Sequence, residues 1–319
     1  MTNVGLPNER FLRKEFVLPT VFEIAEPYLT FLDMLPKVQT DSRSVRYKQE
    51  STSMSGDTLK NTPVTMTTGA KFPRVDISNV TISSALLNQQ GIEVAIDRDA
   101  VRFAEGVDQI QRAYKRVAYW MAESINTSIG TTLTGGVTQA AGNWTPTATW
   151  DGATATPVDD MIRFEGQLSD QEGYPYTLSD VYIHKTNFQE LKAYLTSVDV
   201  DGFKQQQIYG MPNITPNEIT IPVVGAKIHK MLSGISEGGI LGMDLANPAA
   251  TIFFNNDPDF ARQTVSYKGS DGQMRTVKNF GFNFDTWRED DTKMTIQQFW
   301  VDQVCVIKEP KSGLYDTGI

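Results

Sequence analysis

Along residues 99–132 the apolar positions Phe103, Val107, Ile110, Tyr114, Val117, Met121, Ile125 and Ile129 recur at steps of four and three. That spacing lines one side of an α-helix and predicts a rod of roughly 50 Å at about 1.5 Å per residue. Asp97 or Asp99 is the expected N-cap, and Gly135 and Gly136 the expected stop. The opposite side carries Arg102, Asp108, Arg112, Lys115 and Arg116. No long heptad array accompanies it, so the stripe is expected to lie on a sheet of the same chain.

The preceding residues follow other patterns. Residues 1–40 contain RFLRKEF and then Pro19, Pro27 and Pro36, which suits an extended or briefly helical arm. Its apolar set, Phe16, Val17, Leu18, Val21, Phe22, Ile24, Tyr28, Leu29, Phe31 and Leu32, is too large for a free tail. The arm is therefore expected to cover a surface, one that another subunit could supply. Residues 41–74, rich in Thr and Ser around a Ser-Gly-Asp turn, predict a long β-hairpin with little to bury. Val80, Ile82, Ile92, Val94 and Ile96 then alternate as strands do.

After the rod, residues 137–157 read as a loop anchored by Trp144 and Trp150. Thr156 and Pro157 start a helix whose inner side is Met161, Ile162, Phe164 and Leu168. Beyond Gly173 the strand DVYIH leads into the helix KTNFQELKAYL, with a capping box from Thr186 to Gln189. ITIPVVGAKIHK and ATIFFN predict strands, QTVSYKG through QMRTVKNFGFNFDTW a long-armed hairpin, and MTIQQFWVDQVCVIKEP a closing strand. The fold class is α+β.

Charge changes this picture in one place. The chain has 29 Lys and Arg against 38 Asp and Glu, a net of -9, which argues against a protein built to grip phosphate backbones. Within 41–74, however, Arg43, Arg46, Lys48, Lys60, Lys71 and Arg74 face only Asp41, Glu50 and Asp57. A basic projection on an acidic body can dock on a neighbour's body. The lone Cys305 forms no intrachain disulfide, and no secretory signal precedes the first element, so synthesis in a reducing cytoplasm is expected. The stretch FVLPTVFEIAEPYLTFL is broken by Pro19, Glu23, Glu26 and Pro27 and predicts no membrane span.

The chemical motifs fail their own conditions. Gly234-Ile-Ser236-Glu-Gly238 matches the G-x-S-x-G elbow, but that motif needs a helix after it and a later histidine. GGILGMDLANP is not helical, and His184 and His229 both precede Ser236, so a glycine-rich loop is the better reading and a Ser236 hydrolase a remote alternative. Gly130 to Gly135 has phosphate-loop spacing, yet Gly136 stands where the lysine belongs, at the wrong end of a helix. Two separated histidines and one cysteine make no zinc set. Asp285, Glu289, Asp290 and Asp291 lack the alternation of a calcium loop and suit a solvated turn or an intersubunit acidic patch. Cys305, in an apolar strand, suits a buried structural thiol, and the N-x-S/T triplets at Asn79, Asn126, Asn143 and Asn213 suit chance. No catalytic residue, metal or cofactor is expected.

What stands out is the order of parts: arm, Thr/Ser-rich hairpin, a strand into DRDAVRFAEGVDQIQRAYKRVAYWMAESI, an α/β stretch through IHKTNFQEL and QQIYGMPNITPNEITIPVVGAKIHKMLSGISEGGILGMD, and an end at CVIKEPKSGLYDTG. This order resembles the major capsid proteins of tailed double-stranded DNA viruses, whose fold is named after phage Hong Kong 97. The resemblance implies an N-arm (1–40), an E-loop hairpin (41–78), a P-domain (79–155 and 260–298) and an α/β A-domain (156–259 and 299–319). The P-domain would hold a spine helix at about 99–132 and a long β-sheet.

It also implies a subunit of an icosahedral shell, built of pentamers and hexamers, that encloses double-stranded DNA. That DNA would be touched weakly and without sequence specificity. A portal, a decoration protein and a scaffolding protein are the further partners implied; because the arm begins at Met1, the scaffold is expected as a separate chain. The location implied is the virion capsid, assembled in the host cytoplasm, with no membrane. Contacts between subunits are expected at Arg10, Arg13, Lys14 and Phe16 of the arm, at the six hairpin cations and at the four acids from Asp285 to Asp291. Lys48, Lys60 and Lys71 match no crosslinking site of the family. An encapsulin-like compartment, which shares the fold, is the alternative, with RFLRKEF as the stub of a cargo-binding helix.

Overall fold

The computed structural model describes residues 14–50, 80–97, 105–139, 149–152, 155–171, 175–196, 212–255, 265–268, 274–277, 282–289 and 294–319. The described parts of Met1–Val45, Ala85–Ile129 and Ile252–Cys305 form one compact unit, and those of Arg46–Ser84, Gly130–Thr251 and Val306–Ile319 form a second.

In the first unit the described part of the arm takes the helical form, one of the two expected. Helix α1 (Lys14–Ala25) leads through a 3-10 turn (Glu26–Tyr28) into α2 (Thr30–Met34). Val17, Val21, Ala25, Leu29, Phe31, Leu32 and Leu35 are buried within the chain's own fold, so no second subunit is needed to cover them. Strand β1 (Lys37–Gln39) then pairs in parallel with β11 (Ala250–Asn255). The sheet continues from β11 to β15 (Met294–Ile307) and β14 (Phe282–Glu289), and β4 (Asn88–Asp97) also pairs with β15. The long β15 runs antiparallel to β14, from Met294↔Glu289 to Val301↔Phe282, and to β4, from Met294↔Asp97 to Gln303↔Asn88.

The rod is α3 (Glu105–Gly136), 32 residues and about 48 Å long at 1.5 Å per residue. Ile110, Tyr114, Val117, Met121, Ile125 and Ile129 are all buried, as the spacing predicts. Each such side chain taken from water stabilises the fold by roughly 1.5–3 kcal/mol. The stripe does lie on the sheet: the Tyr114 ring meets Phe299 of β15 edge-on at 6.4 Å, and Ser124 Oγ donates to Gln90 Oε1 of β4 at 2.9 Å. Asn126, which sequence reading leaves as a chance triplet, is buried and donates its Nδ2 to the Tyr28 carbonyl. The ends differ from expectation. Asp97 is the last residue of β4 rather than a cap, and Gly135 and Gly136 are still helical. Asp99, Arg102 and Phe103 lie outside the described residues.

Strands β2 (Ser44–Glu50) and β3 (Val80–Leu86) form a two-stranded ribbon, the base of the expected hairpin. The Val80/Ile82 alternation belongs to this ribbon, where Ile82 is 71 % exposed, and the expected hairpin residues 51–74 lie outside the described residues. The expected hairpin near 263–287 is present among the described residues as β12 (Val265–Lys268) paired with β13 (Met274–Val277); its later residues 282–287 belong to β14 on the main sheet.

The second unit holds a seven-stranded sheet. Its order is β5 (Thr138–Gln139), β16 (Gly313–Asp316), β10 (Ile240–Met243), β6 (Asp180–His184), β9 (Lys227–Met231), β8 (Glu218–Thr220) and β7 (Asn213–Ile214). β6 and β9 are parallel and need a crossover between them, which contains α5 (Lys185–Thr196). Helix α4 (Pro157–Ser169) starts at Pro157 as predicted and packs Val158, Met161, Phe164 and Leu168 into the core with Trp150. Ile162 was expected there too, but it falls on the outer side and is 37 % exposed. The expected capping box is not formed. Thr186 is already helical, and its N–H donates to His184 Nδ1 at 3.4 Å, so the residue ending β6 caps α5.

Candidate assembly surfaces

The expected contact residues fall on separate exposed surfaces. Arg10, Arg13, Lys60, Lys71, Arg74, Asp290 and Asp291 lie outside the described residues, as do the side chains of Lys14 and Phe16. Arg43, Arg46 and Lys48 are exposed, the last two alternating along β2 with Val45, which is buried, and Tyr47, which is half-buried. β3 adds exposed Ile82 and Leu86 to the same ribbon. Arg43 also lies near Asp302, whose carboxyl is held above its ordinary range by burial, with the Trp300 hydrogen bond and Arg43 opposing.

Asp285 and Glu289 are exposed on β14, the last strand on one side of its sheet among the described residues. The strand changes character midway: Phe282, Asn283 and Phe284 are buried, whereas 285–289 are exposed on both faces. Side chains alternate along a strand, so Asp285, Trp287 and Glu289 share one face. Among the described residues no group of His, Cys, Asp or Glu is arranged to hold a metal ion.

The outward side of α3 is the third surface. Asp108, Arg112, Lys115 and Arg116 are exposed, as the stripe predicts. Sequence reading missed Tyr119 and Trp120, which are 41 % and 49 % exposed. The signal was available, since both fall between the stripe positions Val117 and Met121.

The residues that suggested chemistry are engaged otherwise. Ser236 sits in a loop from strand β9 to strand β10, between Gly234 (φ 89°) and Gly238 (φ 75°), with its hydroxyl 3.0 Å from that of Tyr315. A strand follows it, so the elbow geometry is not formed. His229 is buried on β9 with Nε2 2.7 Å from Asp180 Oδ1, Nδ1 3.8 Å from Glu218 Oε2, and the Tyr182 ring stacked on it at 5.2 Å. No sequence motif links Asp180 to His229; the parallel register of β6 and β9 does. Burial pushes the Cys305 thiol up to about 12, as befits an inert core residue.

No family model matches the chain, and no curated protein matches it in sequence. Solved structures do. The capsid of a native GTA particle, computed with C5 symmetry, aligns at TM-score 0.54 and 11 % identity over 90 % of this chain and 89 % of its own. The virus-like particle from Pyrococcus furiosus aligns at 0.52 and 9 % identity over 93 % and 95 %. The chain shares the α+β fold of these capsid structures. A holo encapsulin complex from Synechococcus elongatus also shares this capsid fold, at TM-score 0.52 and 9 % identity over 100 % of this chain and 92 % of its own. At such identities the likeness is one of fold, and the capsid fold read from the order of elements is the one observed.

Proposed function

We propose that the chain is a major capsid protein, which self-assembles into an icosahedral shell around double-stranded DNA. The observation that carries this is a fold shared over nine-tenths or more of the chain with particle-forming structures. The same reading assigns 1–40 to an N-arm, 41–78 to an E-loop, 79–155 and 260–298 to a P-domain, and 156–259 and 299–319 to an A-domain. The basic β2–β3 ribbon, with Arg43, Arg46 and Lys48 exposed, is suited to reach over an adjacent subunit of a pentamer or hexamer. Many such weak contacts per subunit hold a shell through multivalency. The net charge of -9 suits a wall that holds DNA without gripping it. Portal, scaffolding and decoration proteins would complete a virion assembled in the host cytoplasm.

Electron microscopy of the protein, expressed with and without its scaffold, tests the reading. Closed icosahedral shells are expected, and small monodisperse oligomers under both conditions overturn it. The encapsulin match over the whole chain favours a second reading, a compartment for enzyme cargo. The contents of purified particles decide: nuclease-protected DNA supports the first, and co-purifying enzyme the second.

A further inference from the structure

We propose that the outer face of α3 in one copy of the chain docks on the β14 edge of another copy, a contact that rests on the shell-forming reading and names a pair of surfaces for it. Arg112, Arg116 and Trp120 stand one turn apart, at steps of four, so they form a line along the helix about 6 Å apart. Lys115 and Tyr119 form the adjacent line. Asp108 lies one turn before this stretch, and Glu123 lies just beyond it. The result is a short basic-aromatic band on an acidic chain.

Its composition favours a protein partner. Trp, Tyr and Arg are the side chains that dominate binding energy at protein interfaces, whereas gripping a DNA backbone needs cations alone. Trp120 at 49 % and Tyr119 at 41 % exposure leave ring surface in water that a phosphate backbone would not cover. The β14 edge is the chemical complement. Asp285 and Glu289 flank Trp287, itself 39 % exposed, on one face of the strand. The two acids are about 13 Å apart at 3.3 Å per residue, a span that the long side chains of Arg112 and Arg116 can cover by splaying. A guanidinium between them would lie over the Trp287 indole. Arg288 belongs to the opposite face and does not oppose the fit. The two surfaces differ, so the contact is head-to-tail and propagates from copy to copy until it closes.

The test is a charge swap read by sedimentation of assembled particles. Arg112→Glu with Lys115→Glu and Arg116→Glu should cut the assembled fraction at least about tenfold, and so should Asp285→Lys with Glu289→Lys. Uniting both sets in one chain should restore most of it, which also shows that the altered chains fold. In the assembled wild-type background, Lys115→Cys with Glu289→Cys should yield dimers and longer ladders with a bismaleimide. Particles that form normally with either set reversed overturn the contact and leave the shell reading intact. Normal particles that lose only their DNA when α3 is reversed overturn it in favour of nucleic acid. Rescue of the β14 variant by reversing Arg43, Arg46 and Lys48 instead assigns the edge to the ribbon and overturns it too. A wild-type chain that does not assemble, together with a Lys115→Cys, Glu289→Cys chain that does not crosslink, overturns both.

Discussion

Gly130 of α3 lies directly against the backbone of Gly234: a β-carbon built on Gly130 would come within 2.6 Å of the Gly234 Cα. Backbone cannot swing aside as a long side chain can, so the site demands glycine. Gly130→Ala should destabilise the protein, because overpacking of about 1–3 kcal/mol outweighs the gain of about 1 kcal/mol for alanine in a helix. Gly135, in the same helix, would meet nothing within 4 Å. Gly135→Ala should therefore raise stability by about 0.5–1 kcal/mol. Thermal unfolding of the two variants side by side checks the pair, and a Gly130→Ala chain as stable as Gly135→Ala refutes the packing argument.

His229 and Asp180 bury a polar pair inside the seven-stranded sheet. His229→Leu leaves the Asp180 carboxyl without that partner and should cost roughly 1–3 kcal/mol in urea denaturation. Replacing both at once, as His229→Leu with Asp180→Leu, should cost less than the sum of the single changes.

His184 should make the second unit sensitive to acid. Burial holds its imidazole below the ordinary 6.5, and Nδ1 must be unprotonated to accept the Thr186 N–H. As pH falls through 6.5 the unfolded chain takes up this proton before the folded one, so the residue's share of stability declines. Nuclear magnetic resonance titration should place the His184 transition below 6.5, and His184→Asn should flatten this part of the stability–pH curve.

Cys305 should resist labelling. With the thiol pushed up to about 12 by burial, almost no thiolate exists at pH 8, and iodoacetamide should modify it only after denaturant is added. Rapid alkylation of the native protein would contradict the packing of β15.

How much of this was legible beforehand depended on range. The α3 stripe and the Pro157 start are local signals, written within a few turns of helix, and both hold. The arm's prolines leave an extended and a briefly helical form open, because they describe only their own neighbourhood; tertiary burial of Val17, Val21 and Ala25 supports the helix across Pro19. Thr186 looked like a cap because the box counts spacing alone, and nothing in spacing says that a histidine one strand earlier takes the task. Ile162 was placed inside by its apolarity, although the turn of α4 carries it outward. Pairings set by sheet register, such as Asp180 with His229, have no local trace at all. Exposed Tyr119 and Trp120 were within reach, since a stripe also defines its opposite side.

The half of β14 that leaves the core carries one more implication. A strand with no neighbour on one side among the described residues invites a copy of itself, and aggregates or fibres follow. Two β14 edges laid antiparallel about Trp287 would set Asp285 of each against Glu289 of the other, carboxylate against carboxylate. The acids that the strand carries thereby disfavour pairing with its own kind.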